Sequence, residues 1–184
     1  MSNQAISTSD VLTMASRLGF RPGQNAKGQY VLNYASMSGF AMEFAVPWLK
    51  QGATYSSEQV ETQLAAMMQS AKMDEKVYDF LKVKGNVEAI NGACKKFGMV
   101  YDEGDGRFYY VKDGSALFGV DHDYIASLIC TGKASLEHLD DMLDTFRDTA
   151  EYEYEQSLKA SGSELVGQGL RKKNGTGKRK KKDG

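Results

Sequence analysis

Eight of the last fourteen side chains, Arg171, Lys172, Lys173, Lys178, Arg179, Lys180, Lys181 and Lys182, are cations, and the chemistry they offer is electrostatic. The tail holds eight of the chain's 23 Lys and Arg and one of its 24 acids, which leaves 15 bases against 23 acids in residues 1–170. A body near −8 and a tail near +7 thus lie under a formal net charge of −1. A run so basic cannot bury apolar surface, so residues 171–184 are expected to be disordered and to seek polyanions. Residues 178–182 also fit a nuclear-import signal, and a solubilising end is the plainest reading.

A second group of cations, Arg17, Arg21 and Lys27, lies in a stretch without an acid between Asp10 and Glu43. Phe20, Tyr30 and Tyr34 are interleaved with them. Cations on phosphates and rings under bases can grip a single strand. The alternative is that the rings are the core side of a hairpin and the cations ordinary surface.

Catalytic chemistry finds little to work with. His122 between Asp121 and Asp123, His138, Cys94 and Cys130 are the titratable or nucleophilic candidates, and a catalytic pair or metal cluster would need them to converge in space, which spacing does not show. The phosphate loop, the H-E-x-x-H zinc pair, the nucleophile elbow and the dinucleotide glycine fingerprint are all missing from the sequence. Asp102, Asp105 and Gly106 lack the alternating oxygens and closing Glu of a calcium loop. No catalytic set, metal or cofactor is expected. Two distant cysteines argue against a disulfide framework and read as core residues.

The elements that position these groups follow from periodicity. Ser9 can cap a short helix carrying Val11, Leu12, Ala15 and Leu18, ended by Gly19. Residues 29–36 and 39–46 read as a β-hairpin stopped by Pro47, with 21–28 as loop. Two helices follow over 57–73 and 74–83, then a third with Val87, Ile90, Ala93, Cys94 and Phe97 that ends at Gly98. Residues 99–102 and 107–112 flank Glu103-Gly-Asp-Gly, a hairpin signal, and 116–120 is a possible third strand. A helix around 124–130 precedes a longer one over 135–159.

In that last helix Leu136, Leu139, Leu143, Phe146 and Ala150 form an apolar seam at spacings of three and four. Glu137, Asp141, Asp144, Asp148, Glu151 and Glu155 fall on the opposite side. The seam can pack on the body or join two copies. The acidic stripe can simply face water, or hold the basic tail through a linker over 160–170.

Residues 11–36 and 90–115 also align without a gap at an offset of 79, each reading helix, glycine, loop, hairpin. The fold expected is therefore α+β: about six helices, two small antiparallel hairpins in two related α/hairpin units, a C-terminal amphipathic helix and a disordered tail. The expected segments are 1–55, 56–121 with the element order of a winged helix, 122–160 and 161–184. An acidic hairpin tip at Asp102 to Asp105 counts against DNA contact by that wing.

Function on this reading is non-enzymatic. The preferred role is sequence-nonspecific binding of DNA or RNA through the tail. A structural or assembly role, as in a viral or other large particle, is the alternative. No span of ~20 apolar residues and no signal peptide is seen, so a cytoplasmic, nuclear or virion location is expected and a membrane partner is not.

Overall fold

The computed structural model describes residues 4–173, with side chains placed through residue 162. The chain is α+β, and its contacts divide it into two compact units. Unit 1 is Met1–Ala89 with His122–Ser135, and unit 2 is Ile90–Asp121 with Leu136–Gly184. The expected winged-helix segment 56–121 is therefore cut in the middle of a helix.

Unit 1 starts from a two-stranded ribbon. Strand β1 (Ala5–Ser7) runs into helix α1 (Thr8–Arg17), whose N-cap is Ser7 and not Ser9. The cap is reciprocal: the Ser7 side chain accepts from the Asp10 N–H, and the Asp10 carboxylate accepts from the Ser7 N–H at 2.9 Å. That carboxyl is held below its usual range by the Ser7 hydroxyl first and the Ser7 backbone second. Thr8, the buried polar residue of this unit, donates its hydroxyl to the Lys50 carbonyl at 2.6 Å.

Strands β2 (Arg21–Gln24), β3 (Tyr30–Ala35) and β4 (Ala41–Ala45) form an antiparallel meander in the order β2-β3-β4. β2 replaces the expected loop, since Arg-Pro-Gly-Gln carries no strand former. It is an edge strand, where proline is tolerated. Strand β5 (Thr54–Ser56) returns to pair with β1, and Ser56 caps helix α2 (Ser57–Lys82). The 26 residues of α2 form one helix where periodicity suggested two. Val83 closes it in an extended conformation.

Val11, Ala15, Phe20, Leu32, Val46, Leu49, Val60, Leu64 and Met68 are the core of this unit. Ala71 and Val77, further along α2, are buried as well, and helix α4 (His122–Cys130) packs on α2 with Ile125 and Ala126 buried.

Helix α3 (Lys84–Lys96) carries the chain from unit 1 into unit 2. There β6 (Val100–Asp102), β7 (Arg107–Lys112) and β8 (Ser115–Val120) make a second three-stranded antiparallel meander. The possible third strand is thus real. A short 3₁₀ turn, Leu136–His138, leads into helix α5 (Leu139–Lys173). The backbone of α5 runs through 160–173, where a linker was expected; no proline interrupts it, and the glycines there only weaken a helix. Residues 174–184 lie outside the described part of the chain.

The two units repeat the same local design. α1 and α3 end with matching hydrogen bonds 79 residues apart: Gly19 N–H to Ser16 and Gly98 N–H to Lys95, Phe20 N–H to Ala15 and Met99 N–H to Cys94, all at 3.0 Å. Both glycines have positive φ, 103° and 82°, as this helix ending requires. Beyond the first strand the offset changes. Asn33 faces Arg21 and Tyr109 faces Val100, so the second hairpin is three residues shorter and the later strands correspond at 76. Leu32 pairs with Phe44, and Phe108 with Val120. The ungapped match of Tyr30 with Tyr109 and Leu32 with Val111 is therefore corrected. An odd slip would turn the core side of a strand outward.

Candidate functional site

The structure places the first-copy cations on three different elements. Arg17 is the last residue of α1, Arg21 opens β2, and Lys27 sits in the β2–β3 turn, where the Asn25 carboxamide oxygen accepts from its N–H at 2.9 Å. All three are exposed. β2 sets Arg21 and the turn that holds Lys27 ~10 Å apart along the strand. Arg21 also begins a cross-strand row that continues through Asn33 to Glu43 and so contains an acid. The aromatics beside them are not free to stack on bases. Phe20 is buried edge-on against Phe44 at 5.8 Å, Tyr30 packs on the core, and Tyr34 donates its hydroxyl to Glu75 at 2.5 Å. Of that candidate site only the cations remain.

Of the tail residues, Arg171, Lys172 and Lys173 belong to the last turn of the α5 backbone. Lys178, Arg179, Lys180, Lys181 and Lys182 lie outside the described residues.

The proposed interface seam is occupied within unit 2. Leu139 and Leu143 are buried, and the Phe146 ring meets Phe118 at 5.2 Å. Leu136 and Ala150 are half-buried at its two ends. Packing within the unit thus occupies this face at Leu139, Leu143 and Phe146. The acidic stripe is also answered in part. Arg147 lies 2.5 Å from Asp144 and 2.9 Å from Asp148, with its guanidinium over Phe97. Glu151 accepts from Tyr110 at 2.5 Å and Lys112 at 3.1 Å, and the Lys96 ammonium pairs with Asp140. Half of the six stripe acids are thereby engaged, which removes much of its attraction for the tail.

The catalytic candidates stay apart in kind. Cys94 is fully buried, and burial pushes its thiol up to about 11, far from a thiolate at neutral pH. Cys130 is half-buried and shifted the same way. His122 begins α4 in unit 1, while His138 closes the 3₁₀ turn of unit 2. Among the described residues no group of three or more His, Cys, Asp and Glu could hold a metal ion, and no helix is long and apolar enough to cross a membrane.

One site was not visible in the sequence. In unit 1 a cleft of ≈ 530 Å³ opens between the start of β4, the second half of α2 and the first turns of α4. Phe40, Met42, Val77, Tyr78 and Leu81 give it apolar walls, and Asp74, Asp123 and Ser127 are its polar groups. Phe40 stacks at a tilt between Tyr34 (6.3 Å) and Tyr78 (5.6 Å). The Lys82 ammonium lies over the Tyr78 ring, 4.6 Å from its centroid, and donates to the Ser38 carbonyl. Only the hydrophobic spacing of α2 was legible beforehand. That spacing looked like core because α4, remote in sequence, supplies one wall.

Comparison with known proteins gives no relative: no family model, no curated protein and no solved structure matches this chain.

Proposed function

We propose that the protein is a non-enzymatic nucleic-acid-binding accessory protein, sequence-nonspecific, that engages DNA or RNA through its basic C-terminal segment. The observation that carries this reading is the charge segregation, with eight of 23 bases in the last fourteen residues of a chain whose remainder is acidic. α5 supports it geometrically. At ~1.5 Å per residue its 35 residues extend ~52 Å and end in Arg171, Lys172 and Lys173, with five further cations beyond. An acidic body repels phosphates, which favours contact by that end alone. Exposed Arg17, Arg21 and Lys27 are auxiliary at most, because they lie on three different elements and the cross-strand row of Arg21 contains Glu43.

Fluorescence anisotropy with short single- and double-stranded oligonucleotides across a salt series tests the proposal. The full chain should bind duplex with a log–log salt slope of roughly −6 to −7, and a chain ending at Leu170 should not bind. Equal binding by both chains, or a shallow slope, overturns it.

A further inference from the structure

The cleft of unit 1 lies beside a strand edge. β4 hydrogen-bonds to β3 on one side, and on its other side no strand is paired among the described residues. The Ser36 N–H donates to the Phe40 carbonyl and the Val46 N–H to the Tyr30 carbonyl, which fixes the alternation. Phe40, Met42 and Phe44 turn their peptide groups toward β3, while Ala41, Glu43 and Ala45 turn theirs to the open edge. The side chains of that first set share one face of the strand. Phe44 packs against the core, and Met42 and Phe40 continue the same row into the cleft.

An added strand would therefore find three things together: backbone donors and acceptors along Ala41–Ala45, an apolar recess next to them, and carboxylates at the recess. Asp74 and Asp123 are the charged groups lining the cleft, and the ion pairs among the described residues do not involve either. The nearby Lys82 is already committed to Tyr78 and the Ser38 carbonyl. Glu43 adds a further acid on the strand itself.

We propose that this cleft and the β4 edge receive an extended segment of a partner protein, one that places a large apolar side chain against Phe40, Met42, Val77 and Leu81 and a lysine or arginine at Asp74 and Asp123. Main-chain hydrogen bonds hold the segment, and the recess and its carboxylates choose the side chains. Lysine and arginine suit a mixed site of this kind, since their methylene stems cover apolar surface while the charged head reaches an acid. This docking is independent of the basic tail and of the nucleic-acid reading.

The test uses the full chain, ¹⁵N-labelled, and four probes: a seven-residue peptide with leucine, lysine and leucine at positions 2, 4 and 6 and threonine elsewhere, so that both side-chain types fall on one face of the strand, its glutamate-for-lysine counterpart, the lysine peptide N-methylated at alternate residues, and hexylamine. The lysine peptide should saturate below about 1 mM, with amide shifts confined to 40–45 and to the cleft positions of α2 and α4. N-methylation should weaken it at least about tenfold by removing strand donors. The pair Asp74→Asn and Asp123→Asn should do the same by removing the countercharge. The glutamate peptide should not bind. The proposal is overturned if shifts fall elsewhere, if the glutamate or N-methylated peptide binds as well, if hexylamine matches the peptide, or if nothing binds.

Discussion

Tyr34 donates to Glu75 in unit 1, and Tyr110 donates to Glu151 in unit 2; each pair is 41 residues apart in sequence and 2.5 Å in space. Both join the middle strand of a meander to the long helix that covers it. The helices also present the same apolar spacing, Leu64, Met68 and Ala71 in one and Leu139, Leu143 and Phe146 in the other. One design, a helix, three antiparallel strands and a long helix, thus stands twice. The differences lie in what surrounds it. In unit 1 the second half of α2 is met by α4, and a cleft is left beside β4. In unit 2 the helix continues far beyond the bridging glutamate and carries the basic end. The scaffold is shared, and the candidate sites sit on what was added to each copy.

If the copies rest on equivalent packing, the largest effects come from their helix seams. Leu64→Ala and Leu139→Ala remove buried leucines at matching places and should each cost ~2–5 kcal/mol. Urea unfolding followed by unit-specific amide signals should show each variant loosening its own unit first. Loss confined to one of the two would break the equivalence.

A smaller, one-sided effect is expected at Gly119. A Cβ there would stand 2.4 Å from Cε1 of Tyr109, its cross-strand partner, so Gly119→Ala must push the ring aside at ~1–3 kcal/mol. The corresponding position in unit 1 is the exposed Glu43, where alanine should change stability by no more than ~0.5 kcal/mol. Thermal melts of both variants check the contrast.

The smallest effect is pH-dependent. Hydrogen bonds from Tyr110 first and then Lys112 hold the Glu151 carboxyl below its ordinary value of 4.5. A carboxyl depressed on folding adds stability above its unfolded pKa and loses it as pH falls through the folded one. Glu151→Gln should therefore lower the urea midpoint near neutral pH, and the difference from the parent should shrink as pH falls below 4.5. A gap that persists in acid would assign the effect to packing.

Much of the second copy is legible in the sequence. Glu103-Gly-Asp-Gly announces its hairpin, and Gly98 marks the end of α3, because turn chemistry and positive φ are local demands. β2 was not legible. Arg-Pro-Gly-Gln becomes a strand only because β3 offers it a ladder, and pairing is a property of two segments. The break expected within α2 is absent for a related reason: the unit 1 core buries its first half and α4 packs on its second.

By itself, the sequence determined the α+β class, the helix ends at Gly19 and Gly98, the two hairpins and the separation of charge between body and tail. These depend on neighbours along the chain or on composition. Tertiary structure alone decided which apolar faces are consumed. It buried the Leu139 and Leu143 seam against a sheet, buried or engaged Phe20, Tyr30 and Tyr34 in their own unit, and opened the cleft between β4, α2 and α4. Burial is settled by the segments that meet in space, and here α4 arrives from some forty residues further along the chain to build one wall.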